Sequence, residues 1–159
     1  MRNSIKKGFG FGLTSGIITT LGLIIGLNSS THSKSIILGG IIIIAIADSL
    51  SDSLGMHISE EADSKNNKQQ IWEATISTFL FKFIFAIAFI IPLLLLTLHT
   101  AIITSIILGL FLISIFSYYI AKSNKQSPTK AIAEHILITL IVIFLTHFLG
   151  KLINAIFGI

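Results

Sequence analysis

In the stretch IADSLSDSLGMHISEEAD (46–63), Asp48, Asp52, Met56 and Glu60 recur at every fourth position. On a helix these four stand one above another along a single face. Carboxylate oxygens suit hard divalent cations, and a thioether adds preference for a softer first-row transition metal. Closely spaced carboxylates also hold protons, so an arriving metal would compete with them. The stripe therefore has the chemistry of metal–proton exchange. Ser49 and Ser53 border the same face, and His57, beside it, could ligate or relay protons as a neutral imidazole or simply be a polar residue at a membrane interface. Five of the chain's seven acidic residues fall in this stretch. For Glu60, Glu61 and Asp63 a solvated helix end is an equally good account. Lys82, inside the apolar run FLFKFIF, offers a competing use for the acids. A lone ammonium there is costly, so it should pair with Asp48 or Asp52, and such a pair could merely hold helices together.

The elements that carry these residues follow from composition. The chain has 159 residues, 53% hydrophobic and 11% charged, with a mean hydropathy of +0.91. A soluble domain of this size carries about 25% charged residues, so most of this surface must face lipid. With no cysteine, disulfides and thiolate metal sites are excluded. The net charge of +4 lies in short flanks without interleaved aromatics, which suits a bilayer and not nucleic acid. The N-terminal run GFGFGLTSGIITTLGLIIGL is long enough to span and has no small-residue cleavage site, so it is expected to be retained.

Five apolar segments stand out, at about residues 8–27, 35–55, 72–98, 101–121 and 131–157. Each reaches the ~20 residues that a helix needs to cross ~30 Å of hydrocarbon. They are too long and continuous for barrel strands. The expected fold is all-α: a polytopic membrane protein, residues 1–159 forming one domain of five transmembrane helices per subunit. Short connections join the spans: NSSTHSK (28–34), a tight hairpin at 98–100 and KSNKQSP (122–128), whose Pro128 suits a helix start. Five spans put the termini on opposite sides. One side would collect Arg2, Lys6, Lys7, Lys65, Lys68, Lys122, Lys125 and Lys130, the other only Lys34 and Lys151. That bias places the N-terminus in the cytoplasm and the C-terminus on the outer or lumenal side, in the plasma membrane if the cell is prokaryotic.

Only the twelve residues of 36–47 separate the outer connection from Asp48. They rise about 18 Å, short of the ~30 Å layer. Asp48 and Asp52 must then lie within the membrane, where a carboxylate should face the bundle interior. In the first span Gly8, Gly12 and Gly16 recur every four residues, and Gly22 and Gly26 repeat the interval. Small residues at that spacing let helix backbones approach closely in lipid; the partner could be another span or a second copy of the chain. A nucleotide-binding reading of GFGFGLTSG fails for want of a preceding strand and the right spacing. Glu134, near the start of the fifth span, is a secondary proton-carrying candidate that a helix N-terminus favours anyway. His147, in the same span, is expected to hydrogen-bond a neighbouring helix, and Pro92 to kink the third span.

Several of these motifs resemble the vacuolar iron transporter family. TSGIITTLGLIIGL (14–27) is similar to the family's first-span pattern, which opens Asn-Asp-Gly. ADSLSDSLGMHIS (47–59) is similar to its second-span signature, an acidic or small residue before x-Ser-Met-Gly-x-Gly-x-Tyr. IWEATISTF with IIPLLLL (71–79, 90–96) looks like its third span, and LTHFLGKL (145–152) like its last. The resemblance implies a homodimer of five-helix subunits, with a metal path between the first and second helices at the subunit interface. It implies export of ferrous iron or manganese from the cytosol against protons, with no permanently bound cofactor and no enzymatic activity. Residue by residue, the family's first-span aspartate falls on Ser15, its second-span acid on Asp48, its methionine on Asp52 and its tyrosine on His57. One carboxylate is thus lost from the first span and one gained on the second, while a methionine returns a turn later as Met56. The expected ligands are Asp48 and Asp52, with Met56 and Glu60 nearer the entrance and Ser15 contributing from the first helix. The long metal-binding insertion that some members carry between the second and third spans is missing, since only Ser59 to Ile71 lie there. A scaffold or assembly protein whose intramembrane charges are structural, or a carrier of another solute, would also use these residues.

Overall fold

In the computed structural model, which describes residues 2–158, the chain is a bundle of α-helices with no strand among the described residues. In order they are α1 (Asn3–Thr31), α2 (Lys34–Glu61), α3 (Lys68–Ala88), α4 (Ile90–Leu95), α5 (Leu98–Ser123) and α6 (Pro128–Phe157). α3 and α4 form one interrupted membrane-crossing segment, so five segments are long and apolar enough to span. The interruption at Phe89 has a local cause. Pro92 has no N–H to offer the carbonyl of Ala88 four residues earlier, and its ring crowds that carbonyl. The Phe89 N–H turns instead to the Ala86 and Ile87 carbonyls.

The helix ends carry their own signals. His32 adopts a left-handed conformation (φ 50°) that closes α1, and the Ser33 side chain accepts from the Ile36 N–H to open α2. Asn67 and Gln70 form a reciprocal capping box at the start of α3, at 3.0 and 2.9 Å. Pro128 occupies the first turn of α6, where its missing N–H costs nothing. The turn before α5 falls at Leu96 and Thr97, slightly earlier than the expected hairpin at 98–100, which leaves His99 exposed in the first turn of that helix.

α1 is the central helix, packed against α3, α6, α2 and α5. Its Leu13, Ile17, Leu21 and Ile24 are fully enclosed. The regular glycine spacing is spent inside the chain. A Cβ on Gly8, Gly12 or Gly16 would run into backbone of α3 at Ala74, Thr78 and Lys82, and one on Gly22 would meet Val142 of α6 at 2.9 Å. Gly26 faces Thr146, and Gly150 of α6 lies against the Gly26 carbonyl. In lipid, where apolar side chains gain nothing by leaving the solvent, such backbone contact supplies much of the packing energy. The peripheral helices turn large apolar side chains outward, among them Ile43 and Leu54 of α2 and Leu137 and Phe144 of α6.

Candidate functional site

The inward face of α2 is built from Ile37, Ile41, Ala45, Ser49 and Ser53, one residue per turn and all buried. Asp48 and Asp52 flank that face, with side chains 28% and 23% exposed. They point toward α3, which supplies Lys82, a side chain only 3% exposed. The Lys82 ammonium lies 2.5 Å from Asp48 Oδ2 and also contacts Asp52 Oδ2. It donates to Ser15 Oγ of α1 at 2.9 Å, and Ser15 in turn donates to Asp52 Oδ2 at 2.8 Å. One ammonium thus ties three helices together. The root of Lys82 sits at a close crossing of α1 and α3, its carbonyl 2.8 Å from where a Gly16 Cβ would be.

Two carboxylates and one ammonium leave a formal charge of −1 in a protein-lined place, and each charge has an opposite within contact, which is what makes such burial tolerable. The compensation is uneven. Asp48 Oδ2 makes its ionic contact without a well-angled hydrogen bond, and the neighbouring Ser49 Oγ is buried with no hydrogen-bond partner. Ammonium and divalent metal seek the same ligands here: carboxylate and hydroxyl oxygens.

The other members of the acidic stripe go elsewhere. Glu60 is buried and accepts from Lys7 of α1 at 2.9 and 3.1 Å and from Asn66 Nδ2 at 3.0 Å. Met56 is half-buried on α2. His57 turns its Nδ1 to Thr75 Oγ1 of α3 at 3.0 Å and meets the Trp72 ring edge-on. Glu134 is exposed on α6, 3.9 Å from Lys130. His147 bonds across to Ser29 of α1 at 2.7 Å, and with His32 and His99 it lines a crevice at the opposite end of the bundle. Among the described residues, no three His, Asp or Glu side chains are grouped so as to hold a metal ion. The structure brings together Ser15, Asp48, Asp52 and Lys82, and leaves Met56, Glu60, His57 and Glu134 outside that group.

Among the polar contacts with no counterpart in the sequence reading are the Lys7–Glu60 pair and those of Glu73, which receives Arg2 and the Ser4 hydroxyl. A register signal for the first was present. Ser15 and Asp52 are equidistant from the Ser33–Lys34 junction, and so are Lys7 and Glu60, as expected of residues facing across an antiparallel helix pair with a short turn.

The sequence pattern of the VIT family matches residues 52–151, well over half of the chain. The matched region includes Asp52, Met56, His57, Glu60, Lys82 and Glu134, and starts after Ser15 and Asp48. No curated protein matches the chain.

Proposed function

The chain belongs to the VIT family, a family of membrane metal-ion transporters, and from that premise we propose that it carries ferrous iron or manganese out of the cytoplasm in exchange for protons. Asp48 and Asp52 are the carboxylate ligands in this reading, and the Ser15 hydroxyl completes the group from α1. Met56 and Glu60 lie further along α2 toward the lysine-rich end, which is the cytoplasmic entrance if positive charge sets the orientation. His57 and Glu134 serve as secondary proton carriers. The observation that supports the reading most is that the acidic pair already holds a cation: its oxygens converge on the Lys82 ammonium while each side chain stays about a quarter exposed. A homodimer would be carried mainly by α2, whose Ile43, Ile46, Leu50, Leu54 and Ile58 face outward, since α1 is largely enclosed within its own subunit.

The same ammonium favours a second reading, in which Asp48, Asp52 and Lys82 only fasten α2 to α3. Asp48→Asn combined with Asp52→Asn separates the two. For a metal site, the double variant folds but loses manganese flux into proteoliposomes, and ferrous or manganous ions raise the melting temperature of the wild type alone. For a structural clasp, the variant fails to fold and no metal shifts the wild type. A carrier of another solute shows no stabilisation by any ion in a divalent panel.

A further inference from the structure

We propose that Lys82 is a tethered competitor for the transported cation, its ammonium occupying the point between Asp48 and Asp52 until a divalent ion displaces it. The inference rests on the acidic pair being the metal site. It is carried by what surrounds the ammonium. Lys82 is 2% exposed, and its Nζ contacts one oxygen of each aspartate and the hydroxyl of Ser15. Those are oxygen donors of the kind a hard divalent cation takes. Two cations cannot share that point, so a metal that takes those oxygens does so only by breaking both ion pairs.

The tether is fixed at its root. Backbone atoms of Lys82 lie 3.1 Å from a Cβ built on Gly12 and 2.8 Å from one built on Gly16, so α3 cannot recede from or approach α1 without disturbing that crossing. Displacement falls to the four-carbon side chain, which swings while its helix stays put. Formal charge sets the direction of the effect. With Lys82 in place the trio carries −1; with a neutral side chain there it carries −2, which one divalent ion balances. The lysine therefore weakens metal binding while holding the charges balanced in its absence, and a singly charged ion offers no advantage over the ammonium it would displace.

The experiment compares wild type, Lys82→Met, Lys82→Arg and the Asp48→Asn, Asp52→Asn double variant, each as the purified full chain in detergent. Manganese is added under equilibrium, with magnesium as the hard-ion control, and both binding and melting temperature are read. Lys82→Met is expected to melt below wild type without metal, to bind manganese at least about tenfold tighter, and to regain its melting temperature on binding. Lys82→Arg, whose planar guanidinium can grip both carboxylates, is expected to bind about tenfold more weakly than wild type. It carries the test alone if the methionine variant does not fold. Wild type binding manganese with Lys82→Met no tighter, or Lys82→Arg unchanged, overturns the competitor role and leaves the metal site standing. Manganese binding to none of the proteins, or equally to the double aspartate variant, overturns the site and the competitor together.

Discussion

Gly12→Ala tests the contact on which the site's geometry depends. A Cβ built there lies 2.5 Å from the Thr78 carbonyl oxygen and 3.1 Å from the Lys82 nitrogen, both backbone atoms that cannot rotate away. Carbon–oxygen contacts settle near 3.3 Å, so α3 must shift about 0.8 Å from α1 at that level. At Gly16 the clash with the Lys82 carbonyl, 2.8 Å, calls for about 0.5 Å on the same scale. Overpacking of this kind costs roughly 1–3 kcal/mol. It also moves the root of Lys82, and with it an ammonium that has only 2.9 Å to Ser15. Gly10 and Gly55 are the controls. A Cβ on Gly10 makes an ordinary 3.5 Å contact with Ile120, and one on Gly55 meets nothing within 4 Å. Alanine at either should be neutral, or gain up to ~1 kcal/mol from helix propensity. Thermal unfolding in detergent, followed through the single tryptophan, Trp72, reads all four variants. If Gly12→Ala and Gly16→Ala melt together with Gly10→Ala, α1 and α3 do not touch through their backbones and the argument for a fixed lysine root fails.

Two smaller effects follow from the polar contacts at the lysine-rich end. Asn67→Ala removes the capping box of α3 and should lower stability by about 1 kcal/mol, while Gln70→Ala should cost less because it leaves the Asn67 side-chain bond in place; melting curves of the two variants decide this. Lys7→Ala strips buried Glu60 of its ammonium but leaves Asn66 bonded to it, and half of Lys7 is exposed. The loss should be about 1 kcal/mol and should shrink at high salt, which unfolding at two ionic strengths measures.

Hydropathy was enough to find five helical segments long enough to span, because a bilayer asks only for length and apolarity, though it did not show that the third is broken at Phe89. That Asp48 and Asp52 turn to a partner within the bundle was equally legible, because a carboxylate this close behind an apolar run needs one. The choice of partner was not. Four-residue spacing says that Gly8, Gly12 and Gly16 meet a close neighbour, but α3, α6 and a second copy offer the same kind of surface, and only the packed bundle selects α3. For the same reason a buried lysine announces that it needs an acid without saying which. Lys82 takes both aspartates because the Gly16 crossing sets its root opposite a helix that presents them one turn apart. The four-residue stripe failed as a single unit for a related reason: Glu60 is two turns further along, level with Lys7, and the nearest opposite charge captured it.

The two ends of α2 are held by different physics. Toward Lys34, Ile37 and Ile41 are fully enclosed and Gly40 receives the Leu23 and Leu27 side chains, so that half is bound by shape. From Asp48 to Glu60 the buried face is serine and glutamate, and the ties to α1 and α3 are Lys82 to both aspartates, Ser15 to Asp52, Lys7 to Glu60, and the neutral contact of His57 with Thr75. Close packing resists any ion equally. Charge pairing does not, because each of those carboxylates can exchange its partner for another cation at little net change in electrostatics. A divalent ion that settles between Asp48 and Asp52 therefore acts on the contact that fastens this half of α2 to α3, while the apolar half has no reason to respond. If Asp48 and Asp52 are the cargo ligands proposed above, binding and the attachment of α2 draw on the same two carboxylates, which ties occupancy of the site to how firmly that helix is held.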